Sequence, residues 1–584
     1  MTMNRREFNR LLSAGAIAGI LPKSSFAFSS IKPNYDLPQK GNARLLHITD
    51  CHAQLNPIYF REPNVNIGLN QAFGRTPHVV GEAFLKKNNV TQSSIEAHAF
   101  TYLNFNSAAK EYGKIGGFAH LSTLIKSLRS SAGGTENTLL LDGGDTWQGS
   151  ATAYWSRGKD MVQAANLLGV DVMTGHWEFT YQDEEVFSNV DDFNGEFLAQ
   201  NIKLTEDALF EGKRSHDEDT GHVFKPYTIK ELNGHRIAII GQAFPYTPVA
   251  NPKRFIPDWT FGIQNQDLQE LVNAIKDEER PDAIIVLSHN GMDVDLKLAA
   301  VVTGIDFILG GHTHDGVPIP VVVKNSGGQT VVTNAGSNGK FVGVLDLNLD
   351  NGQLKGYEYK LLPVFSNFIE HDAEMTALIA EIRKPHLDTL TEELAVTESL
   401  LYRRGNFNGT FDQLICDALR HELNAEISLS PGFRWGTTVL PGQAITFEHV
   451  MDQTCITYPE TYARDMLGNE IKAILEDVAD NLFHPDPFYQ QGGDMVRVGG
   501  MNYICDPTAS FGNRISRMTL DNGKTIDANK YYKVAGWATV GSKAPGKPIW
   551  EVVSSYLRNQ KVVNITKINS PELRNVKNNP GIVL

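Results

Sequence analysis

Between Arg44 and Asp350 the chain repeats one arrangement, a short aliphatic run that ends in a residue able to hold a metal ion. The run at 45–49 leads into Asp50-Cys51-His52, and the run at 306–309 into Gly310-Gly311-His312-Thr313-His314. Between them, 138–141 leads to Asp145 through two glycines, 172–175 to His176, and 282–288 to His289. Residues two apart on a strand project to the same side, so Asp50 with His52, and His312 with His314, are expected side by side at strand ends. The carboxyl ends of strands are where open α/β sheets bind ligands. A lone histidine is more often a core or surface residue than a ligand. Seven ligand-type residues at successive strand ends (Asp50, His52, Asp145, His176, His289, His312 and His314) point instead to a metal centre.

The same region alternates strand-like runs with amphipathic stretches. Phe118, Leu121, Leu124, Ile125 and Leu128 share one helical face. This pattern predicts βαβ units around a mostly central sheet, an α/β catalytic domain over 41–370. Residues 371–402 are charged with helically spaced apolar positions and are expected to form an interdomain helix. Residues 403–584 are expected to form a second, α+β domain that meets substrate or partner. At 584 residues the chain is too long for a single core. Residues 55–113 form a far longer connection than the usual βα loop. Their content of Tyr59, Phe60, Phe73, Phe84, Phe100, Tyr102 and Phe105 predicts an ordered cap at the rim of the site.

The formal net charge of −14 excludes a nucleic-acid partner, which needs a basic surface. Arg5-Arg6 precedes a weakly apolar run at 11–21 and the small-x-small segment Ser25-Phe26-Ala27, which reads residues 1–27 as a twin-arginine export signal and places the mature chain in the periplasm. That run is too short for a stable membrane span, and no other stretch is long enough. Four cysteines leave little role for disulfides. Cys51 is expected to point away from its neighbouring ligands as a buried thiol, leaving room for one bridge among Cys416, Cys455 and Cys505.

The ligand pattern resembles that of the calcineurin-like metallophosphoesterases, in the branch built like periplasmic 5′-nucleotidases. Their D-x-H, G-D, G-N-H-E, H and G-H-x-H segments correspond to Asp50-Cys51-His52, Gly144-Asp145, Gly175-His176-Trp177-Glu178, His289 and Gly311-His312-Thr313-His314. The resemblance implies a helix-flanked β-sandwich followed by a 5′-nucleotidase-type C-terminal domain. It also implies two metals, one on Asp50, His52, Asp145 and His314, the other on Asp145, His176, His289 and His312, with Asp145 bridging. The pattern departs in one place. Where the phosphoesterases carry a metal-binding Asn and then a catalytic His, this chain has His176 and Trp177, and the partner Asp of that His falls at Thr180. The general acid for a leaving alkoxide is absent, a contribution worth about 10²–10⁴-fold in rate.

With that substitution, the segments Gly175–Thr180, Ile48–Gln54, Tyr59–Pro63, Gly143–Gly149 and Val534–Ala538 are similar to those of the SoxB thiosulfohydrolases. This resemblance implies a dimanganese enzyme that hydrolyses a terminal sulfonate from a cysteine of the carrier protein SoxYZ and releases sulfate. His/Asp donors also accept Zn, Fe or Co. It suggests Arg434 as an anion grip, Trp177 as a shaper of the carrier's channel, and Asn290 and Glu178 as supports. A periplasmic nucleotidase or nucleotide-sugar hydrolase with a relocated acid, and an inactive binding module, are the alternatives.

Overall fold

The computed structural model describes residue 28 and residues 32–582. The expected export segment over 1–27 lies outside the described residues. The N-terminal half holds two six-stranded sheets, the sandwich that the resemblance implied rather than the single central sheet that the periodicity implied. In the first, the spatial order is Gln353–Pro363, Phe341–Asp350, Ala43–Ile48, Thr138–Asp142, Val172–Met173 and Glu196–Phe197. In the second it is Val321–Asn325, Gly328–Asn334, Phe307–Gly310, Ala283–Ser288, His235–Gln242 and Tyr227–Leu232. The central strands that lead to the ligands run parallel, so their carboxyl ends share one edge. Leu45, Leu141, Ile285 and Leu309 meet in the core between the sheets. Leu46, Ile48 and Leu140 face the helices Phe118–Ser131 and Lys159–Leu168 on the outer side. Helices Asn265–Glu278 and Met292–Val301 cover the second sheet. Strands buried on both faces read as continuous aliphatic runs, so the sequence pattern cannot count the layers.

The second half is α+β. A four-stranded sheet ordered Thr461–Leu467, Tyr531–Trp537, Ile427–Ser430 and Arg497–Gly499 packs with helices Thr410–Glu422 and Gly468–Phe483, and two three-stranded sheets flank it. The segment expected as one interdomain helix is divided. Helix Ala373–Arg383 ends ahead of Pro385, a short helix follows over Leu387–Leu390, and Glu393–Thr397 is a strand paired with Ala444–Thr446. Proline lacks the amide that would continue the ladder, and the β-branched Val396 and Thr397 join the sheet.

The insertion over 55–113 is ordered, with helices Gly81–Lys87, Ile95–Phe100 and Phe105–Tyr112. It does not cap the main cavity, because none of its residues line it. It ties the domains together instead. Thr438 N–H donates to Tyr59 O at 2.8 Å, Ile67 N–H to Asn406 Oδ1 at 2.8 Å, and Asn66 N–H to Gly581 O at 2.7 Å near the C-terminus. Phe73 is exposed, whereas Phe60, Phe84 and Phe105 are buried. All four cysteines are buried and free. Among the described residues no helix is long and apolar enough to cross a membrane.

One ion pair fastens the insertion to the second sheet's helix, His78 Nε2 to Asp293 Oδ2 at 2.7 Å. Burial opposes charge on His78, but Asp293 outweighs it and raises the imidazole above its ordinary 6.5. The Asp293 carboxyl, which burial would raise, is held below 3.8 by His78. The His78 contribution is full below its unfolded value and fades as pH rises through the raised one. The Asp293 contribution is present above its unfolded value and fades on acidification. Asp293→Asn is therefore expected to lower the thermal midpoint by a few degrees at pH 5.5 and by measurably less at pH 8.5, read by calorimetry. Equal losses at both pH values would discount the pair.

Candidate metal centre

Asp50 and His52 do not sit on a strand. The strand ends at Ile48, and the chain turns with Asp50 at φ 52°, His52 at 46° and Ala53 at 53°. Asp145, His312 and His314 have φ of 62°, 68° and 59°. Five of the seven expected ligands thus occupy the left-handed region, at a cost of about 1–3 kcal/mol each, of the kind found at functional sites. Strand alternation places the loops, and left-handed backbone aims the side chains. The loops interlock, with Asp50 N–H donating to Gly144 O at 2.8 Å and His52 N–H to Asp145 O at 2.9 Å. Gly311 is obligatory, since a Cβ there would lie 2.9 Å from His289 Nδ1 and would strike the Thr49 hydroxyl.

All seven residues converge and all are buried. Their donor atoms form two sets, each within 4.8 Å: Asp50, His52, Asp145 and His314, and His176, His289 and His312. Asp145 Oδ2 reaches both, lying 3.5 Å from His52 Nε2, 3.3 Å from His176 Nδ1 and 3.6 Å from His289 Nε2. Asp50 Oδ1 lies 3.2 Å from His314 Nε2 and 3.6 Å from His289 Nε2. The donor chemistry fits two divalent cations. Asp145 Oδ1, His289 Nε2 and both ring nitrogens of His176 are buried without a hydrogen-bond partner, which is costly unless an ion takes them up.

The neighbouring groups fix how each donor points. The Thr49 hydroxyl donates to Asp50 Oδ2 at 2.6 Å, leaving Oδ1 toward the histidines. The Gly143 carbonyl, 2.6 Å away, requires the proton of His289 on Nδ1 and turns Nε2 inward. Gln491 O, from the second domain, receives His312 Nε2–H at 3.3 Å, which leaves Nδ1 as the donor. Glu178 accepts the backbone N–H of Asp145, Thr146, Trp147 and His176 at 2.7–3.1 Å, tying two ligand loops to one carboxylate. Asn290 supports from the side, its amide donating to Asp295 at 3.1 Å.

Burial pulls His52 and His176 down to about 4, and His312 and His314 well below their ordinary value, so all four are neutral and offer a lone pair. His289 differs. Burial lowers it too, but Asp50 and Asp145 overcome that and lift it to about 9.

Above the donors lies a cavity of about 460 Å³ between the two domains. Trp177 lines it, 5.3 Å from Trp435 and 5.6 Å from Phe433, and Phe433 stacks on Trp435 at 4.0 Å. Arg434 is half-buried at the same cavity. Its Nη2 donates to Gly493 O at 2.8 Å and its Nε to Asp494 at 3.3 Å, while Nη1 has no partner. Nη1 therefore keeps both of its N–H bonds free for an anion, while Nε and Nη2 are already engaged. Three residues were not singled out by sequence reasoning. Phe244 packs on His176 and His312 at 4.1 and 4.2 Å. It follows the aliphatic strand His235–Gln242, so the strand-end rule could have found it. Trp435 lies 5.5 Å from His52, and Arg404 donates to Thr313 O at 2.9 Å. Both come from the other domain, where no local signal marks them.

A helix-flanked double sheet with seven Asp and His donors on one edge defines a hydrolase of the metallophosphoesterase and 5′-nucleotidase superfamily. The model of the 5′-nucleotidase C-terminal domain matches residues 392–551. Rat 5′-nucleotidase is 28% identical over 463 residues, covering 72% of this chain and 76% of that protein. The trifunctional nucleotide phosphoesterase YfkN of Bacillus subtilis is 26% identical over 478 residues, which cover 75% of this chain and 31% of that longer protein. The solved structure of sulfate thiohydrolase SoxB from Thermus thermophilus, in complex with glycerol, matches with a TM-score of 0.86 and 37% identity, over 93% of this chain and 98% of that one. The chain belongs to the SoxB family.

Glu178→Gln would turn an amide N–H toward backbone donors and loosen both loops. It is expected to weaken metal affinity about 10–100-fold with the fold retained, measured by titration of the metal-free protein. Unchanged affinity would reduce Glu178 to a packing role.

Proposed function

We propose that the chain is a periplasmic dimanganese thiosulfohydrolase that removes the terminal sulfonate from a cysteine S-thiosulfonate on the carrier SoxYZ and releases sulfate. The observation that carries this reading is Trp177, which stands where the phosphoesterases place their proton donor and is 5% exposed among aromatic rings. The Thr180 hydroxyl is engaged with Thr457 rather than with an acid. Apart from the metal donors, the cavity offers no group poised to protonate an alkoxide. Burial raises Tyr246, Tyr458 and Tyr462 above their ordinary values, which makes them weaker acids, and the hydroxyls of the first two already donate to Phe488 O and Ala250 O. Asp494, which burial alone would raise, is held below its ordinary value by Arg434 and Arg497 and stays ionised. A sulfur leaving group removes the need for a donor, since even a simple thiol ionises near about 8.5.

Asp50, His52, Asp145, His176, His289, His312 and His314 would hold the two cations, with Asp145 shared. Those cations would acidify a water molecule and withdraw charge from the sulfonate oxygens. The free Nη1 of Arg434 takes one further oxygen, and the aromatic wall keeps bulk water from the S–S bond. A water oxygen bonds to the sulfonate sulfur as the S–S bond breaks, and the electron pair leaves on the carrier's sulfur. In balance, RSSSO₃⁻ and H₂O give RSS⁻, HSO₄⁻ and H⁺. Membership in the SoxB family supports the reading, and the export motif at the N-terminus agrees with it.

The test is sulfate release from sulfonated carrier by the metal-depleted protein, with and without added Mn²⁺. Release only with the metal, and no phosphate from nucleoside monophosphates, is the expected result. Nucleotide hydrolysis with no sulfate release would reverse the assignment in favour of a nucleotidase. Combining His176→Asn, Trp177→His and Thr180→Asp should restore an acid and introduce phosphomonoester hydrolysis detectable above wild type. A triple variant that binds metal but hydrolyses no phosphoester would count against the missing acid as the determinant.

A further inference from the structure

On the reading proposed above, the carrier's arm occupies the cavity while the sulfonate is cleaved at its inner end. The product anion is then formed behind its own leaving group. We propose that sulfate leaves by a second path, through a small polar cavity on the far side of the Gly311–His314 turn, past a strap formed by Gln491, Gly492 and Gly493.

This second cavity, of about 50 Å³, is lined by Thr313 and Arg404 beside the metal donors and by His78 and Gln490. Arg434, Asn481, Gly492 and Gly493 line both cavities and so form the wall between them. That wall is weak by construction. Gly492 and Gly493 have φ of 70° and 77° and carry no side chain to pack. A Cβ on Gly492 would collide with the His312 imidazole, so the strap can lie against the ligand only as glycine. Its hold on the site is one hydrogen bond from His312 and one from Arg434.

The passage favours an anion. Arg404 is 94% buried by its 6% exposure, yet its Nε has no partner, and neither does Arg434 Nη1. Buried donors left unpaired are costly and mark a place for acceptors. Two carboxyls also face the passage. Asp293 is neutralised by His78 at 2.7 Å, and Asp315 lies 4.0 Å from Arg404. Asp494 in turn pairs with Arg434 at 3.3 Å, so the charges around the passage balance, and what favours a small anion is the pair of unpartnered donors, Arg404 Nε and Arg434 Nη1. A peptide has no room there.

The test follows exchange of bound sulfate in the metal-loaded enzyme. Radiolabelled sulfate is bound, the front cavity is filled with carrier alkylated at its cysteine, and the label is chased with unlabelled sulfate. The label is expected to leave the carrier-occupied enzyme at a rate within about two-fold of that from the free enzyme. Leu482→Trp and Gln490→Trp, both in the lining of the second cavity and not of the first, should each slow the loss about ten-fold or more with carrier bound, and leave it unchanged without carrier. Circular dichroism and metal content verify that each plugged variant is folded. Label that stays trapped until the carrier dissociates, or that ignores both plugs in folded variants, overturns the second exit while leaving the thiosulfohydrolase reading intact. Absence of any sulfate release from sulfonated carrier would overturn both.

Discussion

The carboxylate of Asp145 is the point on which the molecule is organised. It stands within 3.6 Å of histidines contributed by three separate strand ends, two in the first sheet and one in the second. Two buried carboxylates, Asp50 and Asp145, share that space with five imidazoles of which four are neutral. Such a cluster is poorly compensated by protein alone, because buried charge requires counter-charge. Divalent cations supply it, and their binding offsets the backbone strain stored in the left-handed turns that carry Asp50, His52, Asp145, His312 and His314. The two sheets hold the loops at this edge, and Glu178 locks two of them to each other.

The second domain completes the site from above. Trp435 and Phe433 close on Trp177, Gln491 orients His312, and Arg404 reaches the Thr313 carbonyl. These contacts would be lost if the domains swung apart. The insertion opposes such motion by bonding to Thr438 and Asn406 and, through Asn66, to the chain's end at Gly581. On the proposed reading, the aromatic wall of Trp177, Phe433 and Trp435 suits a thin, tethered substrate.

Much of this was legible in the chain. The aliphatic runs fix strand positions because a strand buried on both faces tolerates little else. Aspartates and histidines recurring at the ends of those runs have few structural explanations, and all seven do converge. The layers were not legible. Leu45 faces the inner core and Leu46 the helices, and both are leucine. The segment 371–402 reads as helix from its spacing, but Pro385 and the sheet partner of Glu393–Thr397 decide otherwise. The aromatic residues of 55–113 announced an ordered insertion without saying what it packs on.

The sequence by itself determined the chemistry of the donors, a matter of residue type at fixed spacing, whereas the departure at Trp177 shows only against the pattern of the family it resembles. Only the tertiary structure decided how those donors divide between two sets, that Arg434 keeps Nη1 free while Nε and Nη2 are engaged, and that Arg404, Trp435 and Gln491 belong to the site. The reason is physical. Residue type and local spacing act along the chain, whereas the left-handed turns and the contact between domains exist only once segments hundreds of residues apart have packed together.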